Sequence, residues 1–299
     1  MNRLFISRKD TSNAGDLSSC PIHYFPNFAG SDWIDILYLE TVDLSKYDQI
    51  IVGGGGLLGN DNFIKSIKLL EPYTEKTFFW GTGINSKIDN PKKLTKKDIH
   101  ILKLNSCLDY KLDMFKKENI GIRDSSKNHK IDFFHVPCSS CLHKIFDKDY
   151  EIEREFLLIS HPKISSILNP EKKGGKFYAD KKRIFTTEMD IEETVTEIKK
   201  SKYIISQSYH GIYWSMLSNR QVICINPWTN KFLFFGQPVE YTTKYLIEHH
   251  YNFLTGLSTN TFQNTVPIRF DLLPLYPNWL EYCRKQNLIF YNNRVMKHE

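Results

Sequence analysis

Short β-rich runs at residues 4–7, 49–52, 77–80, 120–123 and 133–136 alternate with polar stretches of helical spacing. Strands separated by helices cannot close as tight hairpins. The pattern therefore predicts a parallel sheet with crossover helices on its faces, an α/β fold. Residues 62–70 and 94–104 fit the crossovers: apolar side chains recur at helical spacing and lysines face outward. The second half repeats the theme. Asp190 followed by Glu193 has the form of a capping box, Ile191, Val195 and Ile198 make a stripe, and Lys199 and Lys200 complement the carbonyl end of the dipole. Residues 203–206, 209–217 and 221–225 then read as a strand, a helix and a strand, a βαβ unit. Residues 253–277, rich in Thr, Asn and Pro, read as irregular, and 279–286 as a last helix.

At 299 residues the chain is about twice a usual domain, which predicts two domains with separate cores. The charged stretch 143–155, before a strand at 156–160, reads as the linker. The predicted division is a first domain over 1–148 and a second over 149–299, with the last helix packing back on the first. Forty Lys and Arg against 34 Asp and Glu leave a net charge of +6, which suits an anionic small ligand. The lysines are scattered over helix faces and form no stripe with interleaved aromatics, so nucleic acid is not expected as a partner. Clusters at 172–176 and 181–183 read as solvated loops, with weak adhesion to an anionic membrane surface as their one further use. No apolar run approaches the roughly 18 residues that span a bilayer, and the first residues lack a signal-peptide core; a cytoplasmic protein is expected. Six cysteines are too sparse for a disulfide framework. Cys138 and Cys141 form one CxxC without a second, so no metal site is expected.

Chemistry-bearing residues gather where strands end. Gly53, Gly54, Gly55 and Gly56 follow the strand at 49–52, and Gly54, Gly56 and Gly59 satisfy GxGxxG spacing. No acid at the tip of the next strand is placed to hold a ribose, so the reading is a loop seating a sugar or phosphate near a helix N-terminus. Asn13, Gly15 and Asp16 follow the first strand; an Asx turn with Asp16 as N-cap is the bland reading. Thr82, in Trp80-Gly81-Thr82-Gly83, and the pair Arg123 and Asp124 end further strands at the same edge. In the second half, His210 and Gly211 open a helix after a strand. An imidazole beside backbone amides there suits an anion or a proton transfer. Ser206, Ser208, His161 and Lys163 are further donors at that edge.

In this order the motifs resemble the polysaccharide pyruvyl transferase family: Asn13-x-Gly15-Asp16, the strand into Gly53 to Gly56, Trp80-Gly81-Thr82-Gly83, Ile122-Arg123-Asp124, and Ser208-Tyr209-His210-Gly211. The resemblance spans roughly residues 3–226. It implies two Rossmann-like domains facing a cleft, in the manner of GT-B glycosyltransferases. It also implies transfer of the enolpyruvyl unit of phosphoenolpyruvate, as a ketal, to a nucleotide- or lipid-linked sugar during surface polysaccharide assembly. No cofactor is implied, since phosphoenolpyruvate is the donor substrate. On this resemblance His210 is the acid or phosphate ligand and Asp16 a base. Lys163, His161, Ser206, Ser208 and Gly211 bind the donor, and Asn13, Gly54, Gly55, Gly56, Thr82 and Arg123 face the acceptor. Family members often carry Arg two residues before the His and on the first strand of the second domain, where this chain has Ser208 and His161 or Lys163. A nucleotide-sugar glycosyltransferase and a non-catalytic carbohydrate-binding protein are the competing readings.

Overall fold

The computed structural model describes residues 1–88, 98, 112–125, 133–160, 181–242 and 270–298. Apart from residue 98, the helix expected at 94–104 lies outside the described residues, as do His161, Lys163, the cluster at 172–176 and most of 253–277. The first lobe comprises β1 (Arg3–Ser7), α1 (Ala14–Ser18), β2 (Asp32–Asp35), β3 (Gln49–Gly53), β4 (Gly56–Leu58), α2 (Asp61–Lys68), β5 (Thr77–Ile84), β6 (Ile120–Ile122) and β7 (Phe134–His135). Its strands run in the order β2-β1-β3-β5-β6-β7, with β4 pairing beside β5, and every pair is parallel. Leu4 lies opposite Ile50, and Ile50 opposite Thr77. These strands are buried on both faces, which is why they read as unbroken Ile, Val and Phe runs.

The second lobe comprises β8 (Arg154–Ser160), β9 (Lys182–Phe185), α3 (Ile191–Lys199), β10 (Ser201–Ser206), α4 (Tyr209–Leu217), β11 (Gln221–Ile225) and β12 (Glu240–Thr242). Its order is β12-β11-β10-β8-β9, again all parallel. The capping box at Asp190 and Glu193 is formed. The fold is therefore α/β with two parallel, Rossmann-like sheets. Strand order reverses between β1 and β3 in one sheet and between β8 and β10 in the other, and open α/β sheets bind ligands at the carboxyl ends of such strands. Residues 181–183, expected as a solvated loop, instead lead into β9, where Lys182 pairs with Glu197 at 2.6 Å.

The stretch 143–155 is fastened down. Ile145 and Phe146 are buried, Lys199 donates to the carbonyls of Phe146 and Lys148, and Arg284 pairs with Asp147 at 2.6 Å. Helix α5 (Trp279–Phe290) returns to the first lobe. Phe290 and Val295 join Phe5, Phe28, Phe78 and Trp80 in one buried cluster, and the indole N–H of Trp80 donates to Asn287 Oδ1 at 2.8 Å.

Candidate functional site

The carboxyl edges of the two sheets meet in a seam held by main-chain bonds. Ala14 N donates to Thr186 O (3.1 Å), Ile88 N to Trp228 O (3.1 Å) and Ser125 N to Phe234 O (3.1 Å). His210 lies in this seam. It sits in the first turn of α4, and its Nε2 faces Cys138 Sγ at 3.7 Å. Its Nδ1 fills the space a side chain at Gly15 would occupy: a Cβ there would collide with the ring. Glycine at position 15 therefore lets the imidazole of one lobe reach the first helix of the other. Burial, then the positive charges of Arg123 and Lys231, push His210 well below the ordinary imidazole range, so the ring is neutral at pH 7.

Asp16 is half-buried on α1. Burial raises its carboxyl above the usual range against the pull of Lys231 and Arg8, which makes it a stronger base than a solvated aspartate. It is not the N-cap: Asn13 caps α1, accepting from Gly15 N at 3.1 Å, and its Nδ2 donates to Asp16 Oδ2 at 3.0 Å. Asn13 thus orients the carboxylate. Lys231, which the sequence did not single out, stands in the loop after β11. Burial and then Arg123 lower its ammonium to about 8. Its signal in the sequence was slight: one basic residue in a loop at the right sheet edge. Arg123 is buried and lies with its guanidinium carbon 4.0 Å from the centre of the Tyr209 ring.

Other expected residues have different work. The Gly53 to Gly56 loop does not run into a helix N-terminus, because β4 intervenes before α2. Gly54 and Gly55 have φ of +73° and +76°, and a Cβ on Gly54 would collide with the carbonyl of Ser19. Gly54 therefore allows backbone to pack on backbone, and Gly55 turns the chain. Gly56 leaves room for Asn85 and Arg123. The hydroxyl of Thr82 is buried inside the sheet and donates to Val52 O at 2.8 Å, so it does not face an acceptor. Ser206 Oγ closes the turn onto Ser208, accepting from its N–H at 3.0 Å. Ser208 caps α4 by accepting from Gly211 N at 3.4 Å. Gly211 is required by packing, since a Cβ would meet Ser206 Oγ at 2.5 Å and Ile159 at 2.9 Å. These three shape the turn that presents His210, and the amide of Gly211 is committed to the cap.

Residues 138–141 brace the site from behind. Tyr213 donates to Cys138 O at 2.9 Å, Trp214 to Ser140 Oγ at 3.0 Å and Ser139 to Ser19 O at 2.7 Å. Burial raises the thiols of Cys138 and Cys141, which keeps them protonated and unreactive as a redox pair. Among the described residues no group of three or more His, Cys, Asp or Glu side chains is placed to hold a metal ion. Nor is any helix there long and apolar enough to cross a membrane. An open cleft of about 780 Å³ lies beside the seam, lined by Ser12, Leu17 and Tyr24 from the first lobe and by Thr187 and Asp190 from the second. Ala14 and Ser18 face this cleft, while Gly15 between them faces His210.

Two parallel sheets bring an imidazole, a carboxylate and two cations together where their carboxyl edges meet, the edge at which open α/β folds bind ligands. By comparison, residues 116–229 match the model of the polysaccharide pyruvyl transferase family, a match to a family of transferase enzymes. The matched segment contains Arg123, Cys138, Ser208 and His210. No curated protein matches the chain, and no solved structure does.

Proposed function

We propose that the protein moves the enolpyruvyl unit of phosphoenolpyruvate onto a nucleotide- or lipid-linked sugar of a growing surface polysaccharide, in a GT-B-like pair of lobes that divide donor from acceptor. The single observation that carries this reading is the meeting of His210 with Gly15 across the seam, with Asp16 the next residue of α1 and both His210 and Asp16 within reach of the charges of Arg123 and Lys231. Ketal formation needs a proton at the methylene carbon while a sugar hydroxyl adds to the neighbouring carbon. A second hydroxyl of the same sugar then displaces phosphate. His210 serves the first need. Burial and then two nearby cations hold it neutral, and a dianionic donor between those cations offsets their part of the effect, which favours a proton on the imidazole as the donor arrives. Asp16, oriented by Asn13, accepts the proton of the attacking hydroxyl. In this reading the sugar enters by the cleft that Ala14, Leu17 and Ser18 of α1 line. His161 and Lys163 complete the donor side in this reading.

The test is incubation of the protein with phosphoenolpyruvate and lipid- or nucleotide-linked sugars, following phosphate release and the mass of the acceptor. Phosphate release coupled to acceptor mass gain is expected, and His210→Ala abolishes both. Release of nucleotide from a nucleotide sugar, with phosphoenolpyruvate untouched, would replace this reading with glycosyl transfer.

A further inference from the structure

His210 is held by a short polar chain that starts and ends on its own helix. The indole N–H of Trp214, one turn further along α4, donates to Ser140 Oγ at 3.0 Å. Ser140 Oγ lies 3.3 Å from Cys138 Sγ, and that sulfur lies 3.7 Å from His210 Nε2, both within hydrogen-bonding range of a sulfur atom. Cys138 and Ser140 are wholly enclosed, so each proton in the chain needs a protein acceptor. An indole N–H can only donate, which fixes the direction at one end. Ser140 Oγ accepts there, its own proton points to sulfur, the thiol proton points to Nε2, and Nε2 offers its lone pair. Any other arrangement strands either the hydroxyl proton or the thiol proton among the described residues. A thiolate beside an imidazolium is disfavoured at both ends. Burial raises the Cys138 thiol and, ahead of Arg123 and Lys231, lowers His210, so the pair is a thiol and a neutral ring.

We propose that Cys138 is a positioning residue: its S–H holds Nε2 as an acceptor, so that the neutral ring of His210 carries its proton on Nδ1 and presents that nitrogen to the first lobe. In a neutral imidazole the bond made by one nitrogen decides whether the other is protonated. Nδ1 is the ring atom nearest the place a Cβ on Gly15 would take, and it makes no hydrogen bond among the described residues. Nε2 is committed to sulfur, which leaves Nδ1 as the nitrogen able to bind or exchange a proton across the seam. The sulfur cannot drift from the ring, because Tyr213 on the same helix donates to Cys138 O at 2.9 Å. A thiol also suits both charge states of the imidazole. It donates to Nε2 while the ring is neutral and accepts from Nε2–H once the ring is protonated, whereas a carbonyl could only accept. That Nδ1 serves pyruvyl transfer rests on the reading above; the tautomer does not.

The test is ring-nitrogen NMR of the full chain with isotope-labelled histidine, for wild type, Cys138→Ala and Cys138→Ser, the His210 signals being those that His210→Gln lacks. Steady-state kinetics with phosphoenolpyruvate and a lipid- or nucleotide-linked sugar accompany it. Wild type shows a protonated Nδ1 and an unprotonated Nε2 at His210. Cys138→Ala mixes or reverses the two, and Cys138→Ser, which keeps a donor at that place, restores them. Cys138→Ala also lowers kcat/KM for phosphoenolpyruvate by about three- to tenfold and leaves the KM for the sugar as in wild type, and Cys138→Ser recovers most of the loss. A wild-type ring protonated at Nε2 overturns the proposal, and does so even if Cys138→Ala fails to fold. A Cys138→Ala ring that keeps its Nδ1 proton overturns it equally. A wild type with the expected ring that never turns over phosphoenolpyruvate keeps the tautomer and ends the pyruvyl-transfer reading. Turnover at the wild-type kcat/KM in a Cys138→Ala protein whose ring has reversed keeps that reading and removes the positioning role.

Discussion

His210 and Lys231 turn the seam's electrostatics into measurable pH dependence. The folded state holds His210 well below its ordinary value, chiefly by burial and then through Arg123 and Lys231. Below about pH 6.5 the unfolded chain takes up a proton that the folded chain refuses, so stability falls as pH drops. Wild type is therefore expected to lose melting temperature relative to His210→Gln between about pH 7 and pH 5. Parallel curves for the two proteins would show that the imidazole is not held neutral. Lys231 titrates in the other window. With a folded value of about 8 against an ordinary 10.5, it is charged in both states below pH 8. From there to about 10.5 the folded chain has released a proton that the unfolded chain keeps, so this group adds stability as pH rises. Lys231→Met is expected to lack that rise, and Arg123→Met to shift its onset upward because one of the depressing charges is gone. An identical alkaline limb in wild type and Lys231→Met would remove Lys231 from the buried cluster.

Glycine placement in the β3–β4 loop shows which constraints an element imposes. Gly30 and Gly54 both have positive φ, +80° and +73°. Nothing stands within 4 Å of a Cβ on Gly30, whereas one on Gly54 would collide with the Ser19 carbonyl. Gly30→Ala should lose about 1–2 kcal/mol from left-handed backbone alone. Gly54→Ala should lose about 1–3 kcal/mol more, because backbone cannot swing aside as a side-chain tip can. Urea melts of the two variants check this, and equal losses would mean the loop moves freely off Ser19. The same loop marks where sequence reading ran short. Runs such as Ile50, Ile51 and Val52 announce a buried parallel strand because both faces are covered. A three-residue strand such as β4 or β12 has no period to read, and β2 and β9 carry Asp, Lys or Arg among their apolar residues. The quartet of glycines therefore looked as though it led straight into a helix. For the candidate site, strand-turn-helix placement brought His210 into view, and the position after β1 did so for Asp16, whereas Ser208, expected as a donor ligand, is the cap of α4. Lys231 was not legible, since a lysine in a loop resembles any solvated lysine until the opposing lobe covers it. Nor could the burial of Arg123 against the Tyr209 ring be seen, because enclosure is a property of three-dimensional neighbours.

Across the whole molecule, the chain returns from the second lobe to brace the first, and one residue sits where that return is made. Asn287 on α5 is fully buried, accepts from Trp80 at 2.8 Å, and donates to Pro137 O at 3.1 Å and Cys283 O at 2.9 Å. It links a central strand of the first sheet to the segment that carries Cys138 against the His210 ring. Asn287→Leu keeps the volume but leaves the indole N–H of Trp80 and the carbonyl of Pro137 unsatisfied, each costing about 1–3 kcal/mol. The loss should not be uniform. Amide exchange is expected to quicken in β5 and through residues 137–141, whose anchor is gone, while α3 and β10 keep their protection because their packing lies within the second lobe. Donor affinity should weaken as well, through a displaced Cys138 and a less constrained imidazole, although Asn287 touches neither group of the site. Exchange that rises equally in both lobes would mean that the two unfold as one unit. Unchanged exchange in residues 137–141 would mean that α4 alone, through Tyr213 and Trp214, suffices to hold that segment against His210.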